Sequence, residues 1–296
     1  MKNLLVVLGL LAILGVAGPS RADRPAPGQP VAAPVRIMAL GDSITAGVNV
    51  VAPPDGGYRR KLSQLLTGHD YHYVFVGSRS DFSNGLAQPW HEGWPGYVIR
   101  SYPSAPAGQL SGQIVKGAIA VDNPDVILLM IGTNDLLRAQ AGYRGYDELT
   151  AERNLAVLLN EIFAAKPNVR VIVAGVIDSP RLTQCTIDQF DTGSSECGSS
   201  GGGLPAIVRH LQAQGKPIWL ATGMNRALPR TPAYFPDGLH PDDAGYDAMA
   251  LVWFRAFQAA LGNPAQVAAL ASHHLAQATE QPAIANDLPS SHTKGH

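Results

Sequence analysis

The segment DVILLMIG, residues 125–132, constrains the fold more than any other part of the chain. Val126 to Ile131 are all apolar, so a strand there has no polar face to give to water. Strands of that kind belong to parallel sheets covered by helices on both sides, because an antiparallel sheet with one wet face shows alternation instead. Four more runs read as strands: VRIMAL (35–40), YHYVFVGS (71–78), VRVIVAGVI (169–177) and PIWLAT (217–222).

The segments between these runs carry helical periodicity. GYRRKLSQLLTG (57–68) sets Tyr58, Leu62, Leu65 and Leu66 on one face, and SGQIVKGAIAV (111–121) reads as a short helix. YDELTAERNLAVLLNEIFAAKP (146–167) is the longest helical segment and stops at Pro167. A further helix is expected over 204–214. In the last one Tyr246, Met249, Ala250, Trp253 and Phe257 recur at three- and four-residue steps, with Asp242 as its N-cap. This alternation predicts one three-layer α/β/α domain over residues 35–262, built on a five-stranded parallel sheet. No repeat or break in composition suggests a second core.

The flanks read differently. Lys2, the apolar run Leu4–Ala17 and the small residues Ser20 and Ala22 have the pattern of a secretory signal, with cleavage expected before Asp23. The apolar run is shorter than the roughly 20 residues that span a bilayer, so a cleaved signal over 1–22 is expected rather than a retained anchor. Residues 23–34 are a Pro/Ala-rich linker, and 263–296 lack a sustained apolar face and are expected to be partly disordered. Export, to the periplasm or the medium, makes a disulfide the expected state of Cys185 and Cys197, the only cysteines, with two free thiols as the alternative. A formal charge of −1 argues against the basic footprint of a nucleic-acid binder and against an anionic membrane surface. No metal-ligand cluster is recognisable.

Ligands of open parallel sheets collect outside the carboxyl ends of the strands. Three polar clusters fall at such places: GDS (41–43), HEGWPGYVI (91–99) and GTND (132–135). A fourth, DGLHPDDAGY (237–246), precedes the last helix. Taken singly each has a plain explanation, since Ser43 and Thr45 suit a helix cap and Asn134 and Asp135 suit a turn. Together they contain a nucleophile, an Asp/His pair and an amide.

In that order the four blocks resemble the SGNH (GDSL-type) hydrolase superfamily, whose blocks carry Ser, Gly, Asn and His. IMALGDSITAG, GGYRRKL, HEGWPGYVI, PDVILLMIGTNDL and DGLHPDDAGYDAMALVW resemble its carbohydrate esterase family 3 branch, the acetylxylan-esterase-like group. The resemblance implies a flavodoxin-like sheet and makes Ser43 the nucleophile, His240 its base and Asp237 the partner of His240. The Ser43 N–H, the Gly96 N–H and the Asn134 amide then form the oxyanion hole. It also implies a secreted esterase acting on acylated carbohydrate, such as acetylated xylan, or another small ester, without a cofactor. The same chemistry would serve a broad arylesterase or lysophospholipase, and a non-catalytic carbohydrate-binding protein on an old hydrolase fold is the alternative from another class. Pro95 departs from the small polar residue that often precedes this glycine, which bears on the shape of the loop.

The neighbours leave choices open. Asp42 and Asp135 suit structural roles in their turns, with Asp42 also a candidate substrate contact. His91 and Glu92 could order the loop or contact substrate. Trp90, Trp94 and Tyr97 would stack on sugar faces if exposed and pack the loop if buried.

Overall fold

The computed structural model describes residues 33–196 and 201–266. The expected signal, nearly all of the linker, Cys197 and residues 267–296 of the tail lie outside the described residues. In chain order the elements are β1 (Val35–Gly41), α1 (Ser43–Ala46), α2 (Tyr58–Gly68), β2 (Tyr73–Val76) and β3 (Glu92–Gly93). They continue with α3 (Gln113–Asp122), β4 (Val126–Met130), α4 (Thr133–Gln140), α5 (Glu148–Ala165) and β5 (Arg170–Ala174). The last are α6 (Gln184–Thr192), α7 (Gly203–Ala213), β6 (Ile218–Ala221) and α8 (Asp243–Leu261), with a 3₁₀ turn at Met224–Arg226.

All strand pairs are parallel, in the order β2-β1-β4-β5-β6. Alternate residues of β4 feed two cores, as a doubly covered strand requires. Val126, Leu128 and Met130 pack with α2 and α8 through Leu62, Leu66, Tyr246, Met249, Trp253 and Phe257. Ile127 and Leu129 face α3, α5 and α7 through Val115, Ile119, Leu155, Leu159 and Leu211. Asp242 caps α8, its side chain accepting from Gly245 N at 2.8 Å.

Among the described residues the sheet has six strands, not five. The sixth, β3, is two residues long and too short to leave a periodic trace in sequence. Its register explains it: β2 pairs with Val35–Met38 of β1, and β3 takes over the same edge at Leu40 and Gly41. The other edge of β1 is occupied by β4. The polar segment that carries Cys185, which shows no helical period in sequence, forms a helix: residues 184–192 are α6. Thr183 caps that helix by accepting from Thr186 N, and only Ile187 and Phe190 supply its apolar contacts to the core.

Counting the long strands alone, the order is 2-1-3-4-5, which places the topological switch between β1 and β4. Ser43 lies two residues past β1, and Asn134 lies four past β4. The chain reversal that makes the crevice therefore brings those two side chains to its mouth.

Candidate active site

Ser43 is the first residue of α1. The cap of that helix is neither Ser43 nor Thr45 but Asp42, whose Oδ1 accepts from Ile44 N at 3.0 Å. This frees the Ser43 hydroxyl, and it lies 2.9 Å from His240 Nε2. His240 Nδ1 lies 2.7 Å from Asp237 Oδ2. The second carboxylate oxygen of Asp237 accepts from the backbone N–H groups of Leu239 and His240, at 2.9 and 2.8 Å. Burial alone would raise the Asp237 pKa, but these hydrogen bonds outweigh it and hold the group down to about 2. An ionised Asp237 only accepts, so His240 Nδ1 carries the proton and Nε2 accepts from the Ser43 hydroxyl. The hydroxyl is thus aimed at a base in the correct tautomer.

The loop after β3 carries the glycine expected to donate. Trp94-Pro95-Gly96-Tyr97 is a turn closed by Tyr97 N–H to Trp94 O at 3.1 Å, with Gly96 at φ +79°. Proline at the second position and a positive-φ glycine at the third are what a type II turn requires. Pro95 therefore fits the loop, and the Gly96 N–H has no acceptor among the described residues. Gly93 is the glycine of close approach: a Cβ there would sit 2.3 Å from Ala46 N. Its N–H is taken by His91 Nδ1 at 3.0 Å. Of the two glycines, only Gly96 offers a free donor.

Asn134, in the first turn of α4, gives one amide hydrogen to Tyr97 O at 2.9 Å, which ties it to the same loop and leaves the other hydrogen to donate. Next to it, Asp135 Oδ2 accepts from Ile99 N at 2.9 Å. These adjacent residues of α4 clasp the loop at two points, so Asp135 orders structure, as its sequence context suggested.

Two of the candidate substrate contacts, His91 and Asp42, are buried. His91 has no exposed surface, and both ring nitrogens are occupied, Nε2 donating to Asp81 O at 2.9 Å and Nδ1 accepting from Gly93. Desolvation, helped by the Arg59 charge, pushes its pKa down to about 4, so the ring is neutral and serves the loop. Asp42 is 1% exposed and acts as a cap. Trp94 donates Nε1–H to Glu92 Oε2 at 2.9 Å, its ring lies under the Arg79 guanidinium, and Tyr97 packs beside it at 5.1 Å between centroids. Tyr97 also lies against Gly108, where a Cβ would meet the ring at 2.3 Å. Trp94 and Tyr97 thus pack against the loop and are half-buried, and of the three aromatics Trp90, at 46%, is the most exposed. Cys185 is in the first turn of α6, and its expected partner Cys197 lies outside the described residues.

Two residues near the site escaped the sequence reading. Arg181 donates Nε–H to Asp237 O at 3.0 Å and braces the loop of the Asp/His pair. Arg59 is fully buried beside α1. Its spacing could have revealed it, since Arg59, Leu62 and Leu66 form the i, i+3, i+7 stripe of α2 and a charge on that stripe must be buried.

Burial raises Asp42 and Asp135 to about 7 each, and each has one carboxyl oxygen without a hydrogen-bond partner among the described residues. The Thr133 hydroxyl eases the Asp42 charge, although it lacks the geometry of a hydrogen bond. A carboxyl whose folded pKa is raised stabilises fully below its unfolded value near 3.8, and that contribution is lost as pH rises through about 7. His91 works in the opposite sense but only below its unfolded value of 6.5. Unfolding midpoints in urea are therefore expected to fall between pH 6.5 and pH 8.5, and Asp135→Asn is expected to flatten that decline. A slope unchanged in the variant would mean that Asp135 is ionised in the fold throughout.

Comparisons with known proteins agree with this arrangement. Residues 39–248 match the GDSL-like Lipase/Acylhydrolase family. A multidomain esterase of Ruminococcus flavefaciens is 29% identical over 236 residues, which cover 74% of this chain, and the chain spans only 28% of that protein's length. The solved structure of a Clostridium thermocellum family 3 carbohydrate esterase is 30% identical, with a TM-score of 0.59 over 75% of this chain and 94% of that one. A family 3 carbohydrate esterase from Talaromyces cellulolyticus, at 24% identity, shares the fold with a TM-score of 0.60 over 76% of this chain and 98% of that one. With a hydroxyl, an imidazole and a carboxylate in line at the switch point, the chain belongs to the GDSL-like lipase/acylhydrolase family, a family of carboxylic ester hydrolases.

Proposed function

We propose that the protein is a serine esterase that removes short acyl groups, acetyl above all, from carbohydrate hydroxyls. The observation that carries the reading is the in-line relay from Ser43 through His240 to Asp237, at 2.9 and 2.7 Å. In it, Ser43 Oγ attacks the acyl carbonyl while His240 Nε2 takes the hydroxyl proton. The carbonyl oxygen becomes an oxyanion, stabilised by the N–H groups of Ser43 and Gly96 and by the second amide hydrogen of Asn134. Losing one such donor typically costs about a hundred- to a thousand-fold in rate. The bond to the leaving alkoxide then breaks, the alkoxide takes the proton from His240, and acyl-Ser43 remains. Water gives a proton to His240 and attacks the acyl carbon, and collapse releases the carboxylic acid and restores the Ser43 hydroxyl. Asp237 keeps the imidazole oriented and stabilises its charged form in both halves.

The acetyl and carbohydrate parts of the proposal are supported by the likeness to family 3 carbohydrate esterases and by the exposed Trp90 on the segment leading into the glycine loop, since an open indole face suits a sugar ring. Export, supported by the Lys2 and Leu4–Ala17 pattern, and a Cys185–Cys197 disulfide belong to the same proposal. A panel of esters of increasing acyl length, together with acetate release from acetylated xylan, tests it. Acetyl esters are expected to be the best substrates and acetylated xylan to release acetate. Activity that climbs with acyl length beyond butyrate would replace the acetyl reading with a broad arylesterase or lysophospholipase.

A further inference from the structure

We infer that Arg59 is a positioning residue for the oxyanion donors, its buried guanidinium fastening the helix that carries Ser43 to the segment that leads into Gly96. Two of the three donors, the N–H groups of Ser43 and Gly96, come from separate parts of the chain, and Arg59 bonds to both parts. On the α1 side, Nε donates to Thr45 O at 3.3 Å and Nη2 to Ala46 O at 2.9 Å. On the loop side, Nη1 donates to Pro89 O at 2.8 Å and Nη2 to Ser83 Oγ at 2.9 Å.

Neither segment would hold its place alone. The helix α1 has four residues, far below the length at which a helix persists unaided, so its carbonyls depend on outside donors. The loop from Gly77 to Gly96 contains only the two-residue β3. Its ordering runs onward from the guanidinium. Ser83 Oγ lies 3.0 Å from Asp81 O, which accepts from His91 Nε2 at 2.9 Å. His91 Nδ1 then accepts the Gly93 N–H, and Gly93 presses against Ala46, where no Cβ would fit. The chain of contacts thus leaves α1, passes through Arg59 and returns to α1 by way of the glycine loop.

The chemistry of the group suits this task. Among the described residues no carboxylate forms an ion pair with Arg59; its hydrogen bonds go to neutral acceptors, three backbone carbonyls and the Ser83 hydroxyl, while Asp81 and Asp55 favour its charge only from a distance. Only a planar fork can serve four acceptors spread over two segments, and a lysine ammonium is a single point. Arg59→Lys therefore keeps the charge and loses the bridge.

The inference rests on the esterase reading, and the test separates the two. The probes are p-nitrophenyl acetate for turnover and a fluorophosphonate for the rate of Ser43 labelling, measured on the full chain. For Arg59→Ala and Arg59→Lys, kcat and the labelling rate are each expected to fall about a hundredfold, the cost of one misplaced oxyanion donor, with KM little changed. Millimolar guanidinium, but not equal sodium chloride, is expected to restore part of both rates in Arg59→Ala. Folded Arg59 variants with wild-type rates would overturn the inference while leaving the esterase reading intact. So would a loss that matches the unfolded fraction by circular dichroism and resists guanidinium. An inactive, unlabelled wild type would remove both. Should the Arg59 variants fail to fold, Ser83→Ala removes one acceptor of the four: a several-fold lower kcat at unchanged KM supports the inference, and an unchanged kcat overturns it.

Discussion

Replacing Ser43 with alanine is expected to lower kcat for ester hydrolysis by about a million-fold, down to the residual rate that binding and an oxyanion hole provide without a nucleophile. The size follows from the role. The Ser43 Oγ is the atom that would bond to the acyl carbon, and no other hydroxyl is hydrogen-bonded to His240 among the described residues. The substitution should leave the fold intact, because α1 is capped by Asp42 and its other end is held by Arg59. Circular dichroism and the melting temperature should match the wild type while turnover vanishes. Substantial residual kcat in a folded Ser43→Ala protein would mean that water or another side chain does the attacking.

Asp237→Asn is expected to lower kcat by about ten-thousand-fold with little change in the position of the imidazole. Asparagine can still accept from Leu239 N and His240 N through its carbonyl oxygen, so the local turn survives. What changes is the group facing His240 Nδ1. An amide nitrogen there donates, which drives the imidazole proton to Nε2, the atom that must accept from Ser43. The negative charge that stabilises the imidazolium is lost as well. A fall of only a few-fold would show that Asp237 contributes packing rather than charge and tautomer. Both effects should appear in kcat more than in KM, since neither residue is assigned to holding the sugar.

The site was legible in the sequence because its parts sit where short motifs meet element ends. GDS closes the first strand, GTND follows the third long one, and Asp237 and His240 lie three residues apart ahead of the amphipathic α8. Strand positions were readable for a related reason: a doubly covered strand such as Val126–Met130 is apolar throughout. What escaped depends on long-range contacts. The two residues of β3 form a strand only because β1 has an open edge beyond the end of β2. The helix α6 has two apolar anchors in an otherwise polar stretch, too few to set a period. The fate of Trp94 and Tyr97 turned on Glu92, Arg79 and Gly108, none of which a sequence pattern places against them. Pro95, which reads as a departure, proves suited to the turn once the φ of Gly96 is known.

In the proposed mechanism the acyl group passes through Ser43 as a covalent intermediate. Rapid-quench mass spectrometry of the enzyme turning over p-nitrophenyl acetate, followed by peptide mapping, addresses it directly. One acetyl group on Ser43 in the wild type, absent in Ser43→Ala and lost on the timescale of turnover, is the predicted result. Turnover with no acetyl-enzyme in any quench, or with the acetyl group on another residue, would contradict it.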